Sequence, residues 1–418
     1  MKRIIIVLLV FTIAAGATVA ELSVSGELKT GFYMDSEKVG NLKPTSSGGM
    51  KNTESDSGSG EARARLNFHY DYDHIIGLRI RFQVIPGGAG PHYPVWDFAY
   101  AYGNLFNEQL KISAGLLGES PWGSGGPELR YDLETRHNLR IDETTGLIGI
   151  RFEYTPSFLQ GLNLGFVLNQ TDLYLDKSIR EQSFGELLQE SVLGIAYEHD
   201  YFAVRFGYRL DSEMDKYENI RMNEGARFTY RLEERALNTL LPGMQIWLNG
   251  YYYGLGSEKR HSSKVFMPPP EFFDNWLYFL YDNENFTAKF NVHLGMYQKY
   301  LFAGLDPSVP SKRDDYQALE FIPAFYYKFF NNFMWAGLRL GLGMEFGNGK
   351  VYRDSPYQFI FIEPQVRLNF TGSAYVALVY NFTDSYAFPN SETNPALKVR
   401  AGDKSQKHQV NLRVVYTF

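Results

Sequence analysis

The chain contains no cysteine, so no disulfide framework, thiolate metal site or lipid-bearing cysteine is available to hold or anchor it. It has no basic excess: 41 Lys and Arg stand against 47 Asp and Glu, and a net charge of −6 argues against nucleic acid as a partner. It has no apolar run of the roughly 18 to 20 residues that a helical membrane span requires. Its eight histidines are scattered, with no His-Glu-x-x-His pair and no Gly-x-Ser-x-Gly elbow, so neither zinc-hydrolase nor serine-hydrolase chemistry is expected, and neither a cofactor nor a metal. Paired acids such as Asp211 with Glu213 read as solvated strand ends.

What is present is an unusual amount of aromatic surface. Tyr, Phe and Trp make up 16% of the residues and 39 are glycine, yet the mean hydropathy is −0.29 although 44% are hydrophobic. Alternation resolves that contradiction. In the stretch 62–72, Ala62, Ala64, Leu66, Phe68, Tyr70 and Tyr72 oppose Arg63, Arg65, Asn67, His69 and Asp71. In 76–84, Ile76, Leu78, Ile80, Phe82 and Val84 oppose Arg79, Arg81 and Gln83. This is period two, the pleat of a strand with one apolar and one polar face. No charge falls on either apolar face, as lipid exposure requires when a midplane charge costs about 2–4 kcal/mol.

Eighteen strand-like runs are predicted, near 22–34, 61–73, 75–85, 95–103, 110–117, 147–154, 162–169, 192–199, 202–210, 226–233, 244–253, 273–281, 286–297, 319–328, 333–346, 358–370, 374–383 and 407–418. Sixteen is the alternative, because 234–285 is the least regular region and 272–281 can be read partly as loop. Pro323 and Pro364 fall inside predicted strands and are expected to mark bulges or strand ends. Short connections, near 73–75, 104–109, 155–161, 199–201, 282–285, 329–332 and 371–373, alternate with long ones, near 35–60, 118–146, 170–191, 254–272, 298–318 and 384–406. A soluble antiparallel protein alternates too, but regular short-and-long spacing is the habit of a transmembrane barrel with turns on one side and loops on the other. The expected fold is therefore all-β, a closed up-and-down antiparallel barrel. At the N-terminus Lys2 and Arg3 precede the apolar run 4–13 and the small residues Ala15, Gly16, Ala17 and Ala20, the layout of a secretory signal peptide over 1–20 followed by one barrel domain over 21–418.

The final stretch, 408–418, alternates without interruption and ends on Phe418. This closing strand resembles that of bacterial outer-membrane β-barrels, and with the signal peptide, the even strand count and segments such as 149–154 followed by Thr155 and Pro156 the whole mature chain resembles the porins. The resemblance implies an outer-membrane location, an aqueous lumen at sixteen to eighteen strands, recognition of Phe418 by the barrel-assembly machinery, lipid as the surrounding partner, a homotrimer as an assembly, and passive passage of small hydrophilic solutes or ions.

In that family a long loop after the fifth strand folds inward and narrows the pore. The connection 118–146 occupies this position and carries Glu119, Glu128, Asp132 and Glu134, with Gly123, Gly125 and Gly126 to let it bend back. Opposite it, Arg63, Arg65, Arg79, Arg81 and Arg151 have the lumen parity. Acid on the loop facing arginine on the wall would set a transverse field and select permeants by sign, with an anion preference. The bland reading is that arginines line any wetted face and that some are paired with Glu61, Asp71, Asp73 or Glu153. Two alternatives stay open. Trp247, Tyr251, Tyr253, Trp335, Phe361 and Tyr375 share the polar parity and could form an aromatic track for sugar rings, although a one-residue register slip would turn them into a lipid-facing girdle. A surface adhesin or structural barrel with a blocked lumen is the other, and it predicts no conductance.

Overall fold

A strand with one apolar face and full backbone polarity is stable in lipid only when both its neighbours complete its hydrogen bonds, and a closed ring provides this for every strand. The computed structural model of the chain describes residues 20–41, 43–50, 63–84, 95–118, 121–122, 148–170, 191–209, 213–217, 220–223, 226–255, 271–298, 316–346, 359–386 and 404–418, and it closes such a ring. The wall begins with β1 (Ala20–Val39), β2 (Arg63–Tyr72), β3 (Ile76–Val84), β4 (Val95–Leu105), β5 (Leu110–Leu116) and β6 (Ile148–Tyr154). It continues through β7 (Leu162–Gln170), β8 (Val192–Glu198), β9 (Phe202–Arg209), β10 (Ala226–Glu234), β11 (Met244–Leu255) and β12 (Glu271–Asp282). It ends with β13 (Phe286–Gln298), β14 (Tyr316–Phe329), β15 (Met334–Phe346), β16 (Phe359–Thr371), β17 (Ala374–Tyr386) and β18 (Lys404–Thr417).

Each strand pairs antiparallel with the next, and β1 pairs with both β2 and β18, so the eighteen-stranded sheet has no free edge. The closing contact is made by Phe418 itself. Its N–H donates to the Gly26 carbonyl at 3.0 Å and its carbonyl accepts from the Gly26 N–H at 2.7 Å. The phenylalanine ring lies where a Gly26 Cβ would stand, 2.4 Å from that position, so this notch requires glycine.

The two faces invert the soluble pattern. Leu28, Phe32, Leu66, Ile150, Leu193, Phe206, Phe325, Leu338, Ile362, Leu378 and Leu412 are exposed on the outside. Arg65, Arg151, Glu153, His293, Glu320, Arg339 and Glu363 are buried inside. A closed antiparallel barrel with an apolar belt and a polar interior is a multi-pass β-barrel of the outer-membrane kind. Among the described residues no helix is long and apolar enough to cross a membrane.

The eighteen-strand expectation holds over the sixteen-strand alternative. The region 234–285 contains two full strands, β11 and β12, and among its described residues the irregularity is a four-residue helix, Leu237–Leu240, in the connection before β11. The run 272–281 is strand throughout, because each of its residues is paired with β13. Pro323 and Pro364 mark neither bulges nor ends; both sit within unshifted registers, with the ring turned toward the lipid parity. In addition, β1 runs on to Val39 and pairs with a short strand, Thr45–Met50, within the first long connection. A separate two-stranded hairpin, Glu213–Tyr217 with Ile220–Asn223, stands in the connection before β10.

Candidate functional site: the lumen wall and the root of the inward loop

The arginines of β2 and β3 share one face because they occupy alternate positions in paired strands. Arg81 stands opposite Asn67 and Arg79 opposite His69, while Arg65 lies between Glu27 and Gln83. Arg81 Nε donates to Asn67 Oδ1 at 2.6 Å, and its guanidinium sits 4.5 Å from the Phe98 ring centroid on β4. Arg79 is exposed, Arg81 half-buried and Arg65 buried. The side chain of Arg63 lies outside the described residues, although its backbone pairs with Lys29.

Arg151 comes from β6, three strands away, and β4 connects it to the others. Its guanidinium lies 5.6 Å from the Tyr100 ring, and the Tyr100 and Phe98 rings are 5.8 Å apart. The result is a cation–ring–ring–cation run from Arg81 to Arg151 across the wall. Arg151 also forms an ion pair with Glu153 at 2.7 Å and donates from Nη1 to the Gly118 carbonyl at 3.0 Å. The sequence expected Glu153 as a structural partner of an arginine, and it is one. Asp71 is engaged differently: Tyr102 donates to it at 2.6 Å, which leaves the Tyr102 oxygen to accept from His69 Nε2 at 2.9 Å. Lys111 Nζ lies 4.8 Å from the Tyr102 ring centroid.

The chain leaving β5 turns into the lumen. Leu117 is 0% exposed, and a Cβ on Gly118 would touch both Phe98 and Tyr100 at 3.2 Å, so the loop is seated on that ring pair from its first residues. Trp122 follows at 1% exposure. Its indole Nε1 donates to Asn163 Oδ1 at 2.6 Å. Its ring occupies the space where side chains of Gly165 and Gly194 would be, at 1.5 and 2.0 Å from the Cβ positions. Those glycines are cross-strand partners, and Gly207 on β9 extends the same row. Val167, Val192 and Ala196 wall the groove, so Trp122 is gripped by small apolar neighbours and one hydrogen bond.

Sequence reasoning overlooked Trp122, Asn163 and the glycine row. The signal was present: β7, β8 and β9 each carry a lone glycine on the polar parity, in LNLGFVL, VLGIAYE and VRFGYR. The acids Glu119, Glu128, Asp132 and Glu134 lie outside the described residues.

The aromatic candidates divide into two groups. Trp247 on β11 is inward, buried and stacked on Tyr278 at 5.4 Å, while the side chains of Tyr251 and Tyr253 above it lie outside the described residues. Four strands further on, Trp335 and Tyr375 are bridged by Arg367, whose guanidinium lies 4.7 and 3.8 Å from their centroids. Phe361 is buried beneath Arg339, 5.0 Å from its centroid, and stacks on Phe359 at 6.0 Å. Arginine covers one face of Trp335, Tyr375 and Phe361. Other lumen arginines are paired as well: Arg205 with Glu198 at 2.7 Å, Arg231 with Glu233 at 3.0 Å, and Arg339 with Glu363 at 2.8 Å. No group of three metal-ligating side chains occurs among the described residues.

No protein-family model and no curated protein matches the sequence. Among solved structures, the chain is similar to an anion-selective porin from Comamonas acidovorans, with 10% identity, a TM-score of 0.49, and coverage of 96% of this chain and 100% of that one. It is also similar to Salmonella typhi OmpF in complex with daunomycin, with 11% identity, a TM-score of 0.47 and coverage of 96% and 98%. A third is the loop L8 deletion mutant of OmpT, an outer membrane protein of Vibrio cholerae, with 12% identity, a TM-score of 0.44 and coverage of 96% and 100%. The fold itself stands on the strand pairing described above.

Proposed function

We infer that the chain is a passive outer-membrane channel, a porin rather than an enzyme, exported by a signal peptide that ends near Ala20. The observation that carries this reading is the combination of eighteen strands in a closed ring with a polar, arginine-rich inner face, because a barrel of that girth is too wide for its own side chains to fill. The inward entry of the loop at Leu117 and Trp122 supports a narrowed lumen close to the arginine run.

For selectivity, the strip on β2 and β3 carries the most accessible inner-wall cation among the described residues, Arg79, and it favours anions. Pairing of Arg151, Arg205, Arg231 and Arg339 with carboxylates reduces the positive field, so the preference should be moderate. Insertion through Phe418 and assembly as a homotrimer belong to the same reading, and native mass spectrometry of the refolded protein tests the latter.

The function is tested by single-channel recording in a planar bilayer, with the reversal potential measured under a KCl gradient. Steady openings with anion selectivity, shifted toward cations by Arg79→Ala with Arg81→Ala, are expected. Silence from a folded, inserted barrel would overturn the channel reading and favour an adhesive or structural barrel.

A further inference from the structure

The wall contains two places where a ladder stops and resumes in the same register. β14 and β15 pair from Gln317↔Phe346 to Phe321↔Leu342 and again from Ala324↔Arg339. β16 and β17 pair as far as Ile362↔Phe382 and again from Gln365↔Val379. Each gap holds a proline. On its other side each proline keeps its place in the ladder, as Phe290↔Pro323 and Leu338↔Pro364. The missing bond is therefore the one that a proline nitrogen cannot donate. By the flanking registers the residues facing the rings are Leu340 and Tyr380.

Both gaps lie at similar depth. Pro323 is six residues from the turn-side end of β14 at Phe329, and Pro364 is seven from the end of β16 at Thr371. With a rise of about 3.3 Å per residue and a tilt near 40°, that is about 15–18 Å above the turns, well inside the lipid-facing band. Water cannot replace the absent donor there.

The two gaps bracket one pair of strands, β15 and β16, whose mutual ladder is unbroken from Met334↔Leu368 to Gly343↔Phe359. On the lumen side buried side chains link the panel to both neighbours, across the β16–β17 gap itself and three residues below the β14–β15 gap. Glu363 accepts from Arg339 Nε at 2.9 Å and Nη2 at 2.8 Å on β15, and from Asn381 Nδ2 at 2.9 Å on β17, the residue that the register places opposite it in the gap. Gln365 Nε2 donates to the Tyr326 hydroxyl at 2.8 Å, which reaches from β14 over Gly337 of β15 to β16. All five side chains are buried.

We propose that β15 and β16 form a panel of the barrel wall that is held at mid-height by side chains in place of ladder bonds, with the Glu363 carboxylate as its catch. The bonds that fasten it to its neighbours sit on the lumen face, so the panel can yield while the ladders above and below remain closed. The glycines at 337, 341 and 343 on the inner face of β15 are covered by the rings of Tyr326, Phe361 and Phe359 from the neighbouring strands, so those rings brace the panel on the same face as the catch.

The test is amide hydrogen exchange of the refolded barrel in lipid vesicles. In Glu363→Ala, amides in 338–342 and 360–366 should exchange at least ~10-fold faster, while those of β7 to β9 stay within about twofold of the parent. Adding Pro364→Val restores the missing donor and should return most of the protection. An unchanged rate at the panel, a uniform rise around the barrel, or no recovery with Pro364→Val would each overturn the proposal. If Glu363→Ala does not insert, Asn381→Leu severs only the β16–β17 crossing and is read in the same way. The readout needs no conductance, so this proposal and the channel reading fail independently.

Discussion

Between β6 and β9 the strands are seven to nine residues long, and glycine occupies the inner row from Gly165 through Gly194 to Gly207. Between β13 and β17 they are thirteen or fourteen residues long, and the inner rows hold His293, Glu320, Tyr326, Arg339, Phe361 and Glu363. Both walls obey the same parity rule. The first leaves a trough and accepts Trp122 from the connection that leads into β6; the second fills its inner face with its own side chains and ties them to one another. Identical secondary structure thus yields a host surface on one side and a self-contained one on the other: the glycines of the first wall are covered by Trp122, those of β15 by Tyr326, Phe361 and Phe359 of the adjacent strands.

The comparison breaks most sharply if the guest is removed. Trp122→Ala should cost about 3–5 kcal/mol, the range for deleting a large buried aromatic. Denaturant unfolding from lipid vesicles would measure it, and a loss below ~1 kcal/mol would show that the trough is not packed around the indole. Filling the host is the milder version. Gly194→Val places a branched side chain where the Trp122 ring lies and should cost about 1–3 kcal/mol. Tryptophan emission would shift to the red as the indole is displaced, and unchanged emission would refute the contact. The smallest effect is expected at a partly exposed pair within the first wall, between β8 and β9: Arg205→Ala, which breaks the bond to half-exposed Glu198, should change stability by about 0–1 kcal/mol.

The strands were legible in the sequence because each is a local pattern. Leu66 against Arg65, or Phe290 against Asn291, declares its face without knowledge of any neighbour. The order of the ring follows from the same fact, since consecutive strands joined by short turns have little choice of partner. Contacts across several strands were not legible. Trp122 reads as a tryptophan in a glycine-rich loop, and Gly165 and Gly194 read as weak points in two strands; their fit appears only when the register aligns them. The prolines misled for a related reason. A proline in a strand is judged against the ladder it interrupts, and nothing near Pro364 in sequence reveals that Asn381 will lie opposite Glu363. The arginine positions were readable as lumen-facing, but their partners Glu153, Glu198 and Glu363 fix how much of their charge remains available to a permeant, and that depends on side-chain geometry.

The pairing of Gly26 with Phe418 also sets an order in time. In chain order β1 comes first and β18 last, so as the barrel folds the first strand carries an unmatched edge until the last strand arrives. Contacts between such distant parts of a chain form slowly, and an edge left waiting invites pairing with the wrong chain. Successful closure therefore reports that both ends of the wall are present and paired. A prematurely ended copy would have no partner for its first strand and would remain an open sheet, recognisable as unfinished by any protease in its compartment.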